Sequence, residues 1–172
     1  SMPLLAPMST IAGQLAFVVG SYHLLKHNKG KGVMIGHMDA MDPRVVTVIG
    51  AGVAGTQSIL KAINNKALVK VVDSSQSKLD DLKSKYGTEN VEYILSSKDS
   101  IQVSVNESDL VIGSVYVVGK EAPKVVTKDM LSSMNPGTVM VDVSIDQGGC
   151  FETSKPTTHD SPTFLENEIV HY

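Results

Sequence analysis

The chain has 172 residues, 42% of them apolar and 19% charged, a composition that suits one globular domain large enough to bury a core. With 15 Lys plus Arg against 18 Asp plus Glu, a net charge of −3 and no tryptophan, it lacks the basic stripe that would make nucleic acid an expected partner. No apolar run is long enough to span a bilayer, so no membrane partner is expected, and the single cysteine, Cys150, excludes an internal disulfide framework and suits a reducing compartment, with the cytoplasm as the expected location.

The start, Ser1-Met2-Pro3, has no basic segment leading into an apolar one and does not read as a signal peptide. Ser9 is placed as an N-cap, and Ile11, Leu15, Phe17, Val18, Tyr22 and Leu25 follow at roughly helical spacing, which predicts a long helix to about His27. Asn28-Lys29-Gly30-Lys31-Gly32 stops it, Val33-Met34-Ile35 has no assignable pattern, and Asp39 to Arg44 is a polar connection containing Pro43.

From residue 45 the pattern changes. Val45-Val46-Thr47-Val48-Ile49 is β-branched and almost continuously apolar, as a strand covered on both faces should be. A glycine-rich turn and a helix to about Asn64 follow. Leu68 to Val72 is the second strand, Ser75 to Tyr86 a helix, Val91 to Leu95 the third strand, Lys98 to Val105 a weak helix, and Leu110 to Gly113 the fourth strand. Lys128 to Met134 is a short helix, Asn135-Pro136-Gly137 a turn, Thr138 to Val143 the fifth strand, and Ile169-Val170 a candidate last one. Strands alternating with helices imply right-handed crossovers. The expected fold is α/β, a doubly wound parallel sheet of Rossmann type preceded by a long helix. It forms a single domain over 1–172 with its core at 44–150.

The turn after the first strand is Gly50-Ala51-Gly52-Val53-Ala54-Gly55. A pyrophosphate is held best where backbone N–H groups converge at the positive end of a helix dipole. Gly50 allows the tight turn, Gly52 lets the backbone approach the phosphates, and Gly55 lets the helix pack closely on the strand. Alone, this spacing is a weak signal; here a strand precedes it, a helix follows, and Asp73 ends the next strand. That acid is placed to accept hydrogen bonds from the adenosine ribose hydroxyls, and its charge opposes a 2′-phosphate, which favours NAD over NADP. The plainer alternative for Asp73 is a solvated acid capping the next helix. Lys78, on that helix, is equally well explained as a residue reaching toward the ribose or as a solvated lysine.

In such sheets the cofactor crosses the carboxyl ends of the strands. Gly113-Ser114-Val115-Tyr116 therefore lies on the nicotinamide side, although an ordinary strand-end loop explains it nearly as well. After the fifth strand comes Ser144-Ile145-Asp146-Gln147-Gly148-Gly149-Cys150. A carboxylate at Asp146 suits a hydrogen bond to the nicotinamide ribose or proton handling during hydride transfer. An acid that merely fixes its own loop is the even alternative. No metal site is expected.

The run Val141 to Glu152, followed by Lys155-Pro156-Thr157-Thr158-His159-Asp160, resembles alanine dehydrogenase, in the family that also holds the pyridine nucleotide transhydrogenases. So do Pro7-Met8-Ser9, Ile11-Ala12-Gly13, Asp109 to Gly113 and Ala122-Pro123-Lys124. The resemblance implies reversible NAD-dependent oxidative deamination of L-alanine to pyruvate and ammonia, in a homo-oligomer. It implies that Ser9 lies near the nicotinamide or pyrophosphate, that Val53 and Ala54 are loop contacts, that Asp73 is the ribose acid, and that Lys78 and Ser96 sit near the adenosine. It places Val115 and Tyr116 after strand four, where the family usually has an aliphatic residue in place of Tyr116. Val143, Ser144, Ile145 and Asp146 form the strand-five loop, with Asp146 as the active-site aspartate, and Lys155 falls where the family often has arginine. The transhydrogenase NAD-binding subunit is the nearest competitor, but its loop carries Glu-Asn/Gln-Gly-Gly where this chain has Asp146-Gln147-Gly148-Gly149. A non-catalytic NAD-binding module is the other alternative.

The family's full chain is longer, and its cofactor domain is inserted in a substrate domain that carries the substrate-binding lysine and arginine and the catalytic histidine. None of His23, His27, His37, His159 or His171 fills that last role; each is expected to be a surface or packing residue. The expectation is thus an excised cofactor domain that binds NAD and is inactive alone.

Overall fold

A computed structural model describes residues 2–25, 30–36 and 42–172. Helix α1 covers Met2–Leu25. Then follow β1 (Val45–Ile49), α2 (Val53–Asn64), β2 (Leu68–Asp73), α3 (Gln76–Tyr86), β3 (Val91–Leu95), α4 (Lys98–Asn106) and β4 (Leu110–Gly113). The chain continues through α5 (Lys128–Leu131), β5 (Val139–Asp142), a 3-10 turn at Ile145–Gln147, β6 (Phe164–Glu166) and β7 (Ile169–His171). The strands form one sheet in the order β3-β2-β1-β4-β5-β7-β6. All pairings are parallel except β6 with β7.

The continuous apolar character of the strands has a simple cause. Successive side chains point to opposite faces, and both faces are covered. Val46, Val48, Val69, Val71, Leu110 and Ile112 pack with Phe17, Leu24, Ile59 and Leu79 from α1, α2 and α3. Ile49, Val72, Val111 and Met140 point the other way, onto Ile101, Val105, Met130, Leu131 and Phe151. The register brings the strand ends into one row: Ile49 pairs with Val72 and with Gly113, and Gly113 pairs with Asp142. The loops that leave these residues therefore share one edge of the sheet.

Helix α1 corrects one expectation. It is already helical from Met2, so Ser9 lies inside it and cannot be its N-cap. Pro7, also inside, removes one backbone donor but does not end the helix. What holds α1 is tertiary burial of Gly13, Ala16, Phe17, Gly20 and Leu24 along one face, and packing of this kind outweighs local propensity. The helix is described as far as Leu25; the expected end at His27 and the connection at Asp39 to Met41 lie outside the described residues, as does His37.

Three further boundaries differ. Residues after α5 continue as i→i−3 turns, with Ser132, Ser133 and Met134 N–H groups bonding to Asp129, Met130 and Leu131 carbonyls. Strand β5 is two residues shorter than the spacing suggests. The segment Phe164–Glu166 pairs as an added edge strand, so the sheet extends past residue 150. Its hairpin turns at Asn167 and Glu168, both with positive φ (50° and 61°). Such a two-residue turn usually advertises itself with glycine, and here it does not.

Candidate functional site

The Gly50–Gly55 turn carries β1 straight into α2. An ideal Cβ on Gly55 would stand 1.8 Å from the Gly50 carbonyl oxygen and 2.6 Å from Ser114 Oγ, so the first turn of α2 lies against the strand end as only glycine permits. A Cβ on Gly52 would meet nothing within 4 Å; that residue faces open space. Gly52 is the N-cap and provides no side-chain cap, and the first turn has no acidic residue. The N–H groups at the start of α2 are thus without intrahelical or side-chain acceptors, in the positive field of a helix end. This is a ready site for a phosphate anion.

Asp73 ends β2 beside that turn. It is buried, 8% exposed, so it is not the solvated acid of the plainer alternative, and the cap of α3 is Ser75. One carboxylate oxygen accepts from Ala51 N–H at 2.8 Å and the other from Ser75 N–H at 2.8 Å. The acid is held against the phosphate turn by that turn's own backbone. Ser96 is adjacent, its N–H bonding to the Asp73 carbonyl at 2.9 Å. Lys78 is exposed on α3, and its side chain makes no hydrogen bond or ion pair with a described residue.

Beyond β4, Ser114 is buried and donates to the Gly50 carbonyl at 2.7 Å, tying the two loops together. Val115 is half-buried and Tyr116 is 61% exposed. The Ser144 hydroxyl donates to the Val115 carbonyl at 2.8 Å, and Val143 N–H bonds to Gly113 O at 2.8 Å. Val143, Ile145 and Asp146 therefore stand directly beside the strand-four loop. Asp146 is exposed, and its carboxylate makes no hydrogen bond or ion pair with a described residue.

Sequence reasoning missed what shapes this loop. Asp142, the last residue of β5, is buried and accepts from Ser144 N–H (2.9 Å), Cys150 N–H (2.9 Å), Phe151 N–H (3.2 Å) and the Ser154 hydroxyl. On the outer side, Lys124 Nζ donates to the carbonyls of Gly148 and Gly149. Both glycines have positive φ, 87° and 78°, which their lack of a Cβ allows. The signal was present, since Asp142 ends an apolar strand just as Asp73 does, but nothing local distinguishes an acid facing a ligand from one facing its own backbone. Cys150 is buried against this carboxylate. Burial and then the Asp142 charge push its thiol far above the usual range, so it is not poised as a nucleophile.

A cleft of about 530 Å3 opens between α1 and the segment after Phe151. Ala12 and Leu15 line one wall, Val143 and Ile145 the base, and Lys155 and Thr157 the other wall. Lys155 stands with its Nζ 4.2 Å from the Phe164 ring centroid, a cation–π contact. The same ring stacks on His171 at 4.8 Å. His171 Nδ1 lies 3.0 Å from Ile169 O and Nε2 lies 2.7 Å from Thr153 Oγ1. A carbonyl only accepts, so Nδ1 carries the proton and Nε2 accepts from the threonine. Burial holds this imidazole below the usual histidine pKa, and both nitrogens are engaged within the fold. His159 is exposed and His23 is buried.

Of the expected cofactor residues, the structure brings Gly50, Gly52, Val53, Ala54, Gly55, Asp73, Ser96, Val115, Tyr116, Val143, Ser144, Ile145 and Asp146 to the carboxyl edge of the sheet. Lys155 joins Val143 and Ile145 through the cleft. Ser9 is half-buried on α1, one turn before Gly13, whose carbonyl accepts from the Ser58 hydroxyl of α2 at 2.6 Å. Lys78 lies in the first turn of α3, its N–H bonding to the Ser75 hydroxyl oxygen. Among the described residues no group of three or more His, Cys, Asp or Glu is arranged to hold a metal ion, and no described helix is long and apolar enough to cross a membrane.

A parallel sheet of this order, with a glycine turn into an uncapped helix and an acid at the next strand end, defines a Rossmann-type dinucleotide-binding domain. The family model described as "Alanine dehydrogenase/PNT, C-terminal domain" matches residues 16–172, and the chain belongs to that family. It is 47% identical over 171 residues to an alanine dehydrogenase of Halomonas elongata, covering 99% of this chain and 46% of the relative. A solved structure of an L-alanine dehydrogenase superposes with a TM-score of 0.95 at 40% identity, covering 100% of this chain and 47% of that one. A transhydrogenase from Sinorhizobium meliloti shares the fold, with a TM-score of 0.81 at 24% identity over 97% of this chain and 47% of that one. The chain thus spans about half the length of the relatives it matches.

Proposed function

We propose that this chain is the cofactor domain of an alanine dehydrogenase, which binds NAD(H) at the carboxyl edge of its sheet and serves reversible oxidative deamination of L-alanine to pyruvate and ammonia. The observation that carries the reading is the uncapped start of α2 at Gly52, open to solvent and flanked by the buried Asp73. The dinucleotide supplies the hydride acceptor. The N–H groups at the start of α2 hold its pyrophosphate, Asp73 its adenosine ribose with Ser96 beside the adenine, and Lys78 the outer rim. Val115, Tyr116 and Val143 to Asp146 border the nicotinamide half, with Ser9 and Lys155 at its margins. Asp146, exposed at the loop tip, hydrogen-bonds the nicotinamide ribose or takes up the proton that accompanies hydride transfer.

Hydride transfer also needs the amino acid clamped against the nicotinamide, and the residues that do this belong to the other half of the relatives' length. The domain alone therefore binds NAD(H) and is inactive. Calorimetric titration of the 172 residues with NAD, NADH and NADPH should show binding of the first two and much weaker binding of the third, with no alanine-dependent NADH formation. Absence of any dinucleotide binding rejects the reading, and robust turnover rejects the inactivity. A transhydrogenase domain is the second reading, favoured by the shared fold. Asp146-Gln147 in place of that family's loop residues and the higher identity to alanine dehydrogenase support the first. The compartment consistent with this chemistry is the cytoplasm.

The assembly is proposed as a homo-oligomer with α1 at its seam. Met8, Ile11, Leu15, Val18, Tyr22 and Leu25 are each more than half exposed, and their spacing alternates three and four, the pattern by which two helices pair. The helix has no Asp, Glu, Lys or Arg. Light scattering should give a mass above one chain, reduced to one chain by Leu15→Glu with Val18→Glu; a monomeric parent rejects the seam.

A further inference from the structure

The loop that presents Asp146 turns on itself through Gln147, Gly148 and Gly149 N–H groups bonding to Ser144 and Ile145 carbonyls, and a charged side chain grips it on each side. On the inner side, the N–H groups of Ser144, Cys150 and Phe151 converge on the two oxygens of Asp142. On the outer side, Gln147 O accepts from Ala122 N–H at 3.0 Å, and the Gly148 and Gly149 carbonyls accept from Lys124. An ideal Cβ on Gly149 would lie 2.8 Å from Asp142 Oδ2, so the loop is drawn down onto the carboxylate as closely as the backbone allows. Between these anchors the Asp146 carboxylate makes no hydrogen bond or ion pair with a described residue, and Gln147 Oε1 is buried without a partner among them. Asp146 itself contributes nothing to holding its loop.

We infer that Asp142, seconded by Lys124, is a positioning residue: it sets where Asp146 stands relative to the nicotinamide half of a bound dinucleotide without touching the dinucleotide. The physical reason is the number of donors on one carboxylate. Hydrogen bonds to a charged acceptor are about twice as strong as neutral ones, and several sharing one buried acceptor fix the path of a loop whose two adjacent glycines would otherwise leave its backbone free. A neutral amide at position 142 would offer one oxygen where two are used and would turn N–H groups toward N–H donors. The adenosine half of the ligand lies at Gly50–Gly55 and Asp73, on the far side of β4 from this loop, so it should not sense the change.

This inference rests on the NAD(H) reading, and the test separates the two. The probes are NADH and ADP, which lacks both nicotinamide and its ribose, titrated into the 172-residue chain and into Asp142→Asn and Lys124→Met, each with its thermal midpoint measured. Lys124 is partly exposed, so Lys124→Met keeps the question open to measurement if Asp142→Asn fails to fold. The expected result is a loss of NADH affinity of about tenfold in Asp142→Asn and about threefold in Lys124→Met, with ADP affinity unchanged in both. Equal losses for both ligands, or unchanged NADH affinity in a folded variant, overturn the positioning role. If the parent chain binds neither ligand, the NAD(H) reading fails and takes the inference with it.

Discussion

Gly55→Ala lowers the stability of the domain by about 3 kcal/mol, at the upper end of what one added methyl costs in a packed interior, and abolishes dinucleotide binding. The new Cβ would sit 1.8 Å from a backbone carbonyl oxygen, not from a side chain that can rotate away. To accept it, α2 must lift off β1, which displaces the N–H groups that form the anion site. Gly52→Ala separates the two consequences. Its Cβ meets nothing within the protein, and its φ of −76° is open to alanine, so the unfolding midpoint stays in place. Binding is lost all the same, because the methyl occupies the space into which the pyrophosphate must come. Urea unfolding and calorimetry on the two variants check the pair. A Gly52→Ala protein that binds NAD as the parent does would show that the ligand does not lie on this turn.

Asp73→Asn weakens NAD binding by roughly tenfold to a hundredfold, since a hydrogen bond to a charged group contributes about 1.5–3 kcal/mol and each 1.4 kcal/mol is about a factor of ten. The carboxylate also excludes a 2′-phosphate by charge, so NADPH affinity should fall less than NADH affinity, or rise, and the ratio between them should collapse. The ratio is the informative number. Asp73 also accepts from Ala51 and Ser75 N–H groups, and a purely structural role would depress both ligands alike. An unchanged NADH to NADPH ratio in a folded variant would therefore count against a ribose contact.

Much of the fold was legible because it is written in local patterns. The run at 45–49, its glycine turn and Asp73 form one local unit, and the observed β1, α2 and β2 follow it closely. The strands at 91–95 and 110–113 were likewise visible from β-branched runs bounded by polar segments. The failures share a cause. Ser9 has the chemistry of an N-cap, yet α1 begins seven residues earlier, because its hold on α2 and the sheet is made by residues further along. Strand β6 has three residues and a turn without glycine; it exists because β7 offers it an edge.

The site divides in the same way. The places of Gly50, Gly52, Gly55, Asp73 and Asp146 at or just after strand ends were readable, because a strand end shows in sequence. The motifs after β5 carried the family, which the match over residues 16–172 bears out. What Asp142 does was not readable. Its partners lie up to twelve residues away and are mostly backbone N–H groups, which every residue but proline possesses, so no side-chain pattern marks them. The sequence by itself determined the chemistry available at each strand end. Only the tertiary structure decided which carboxylate faces outward and which is consumed within, because that depends on how the loop folds back and where its donors converge.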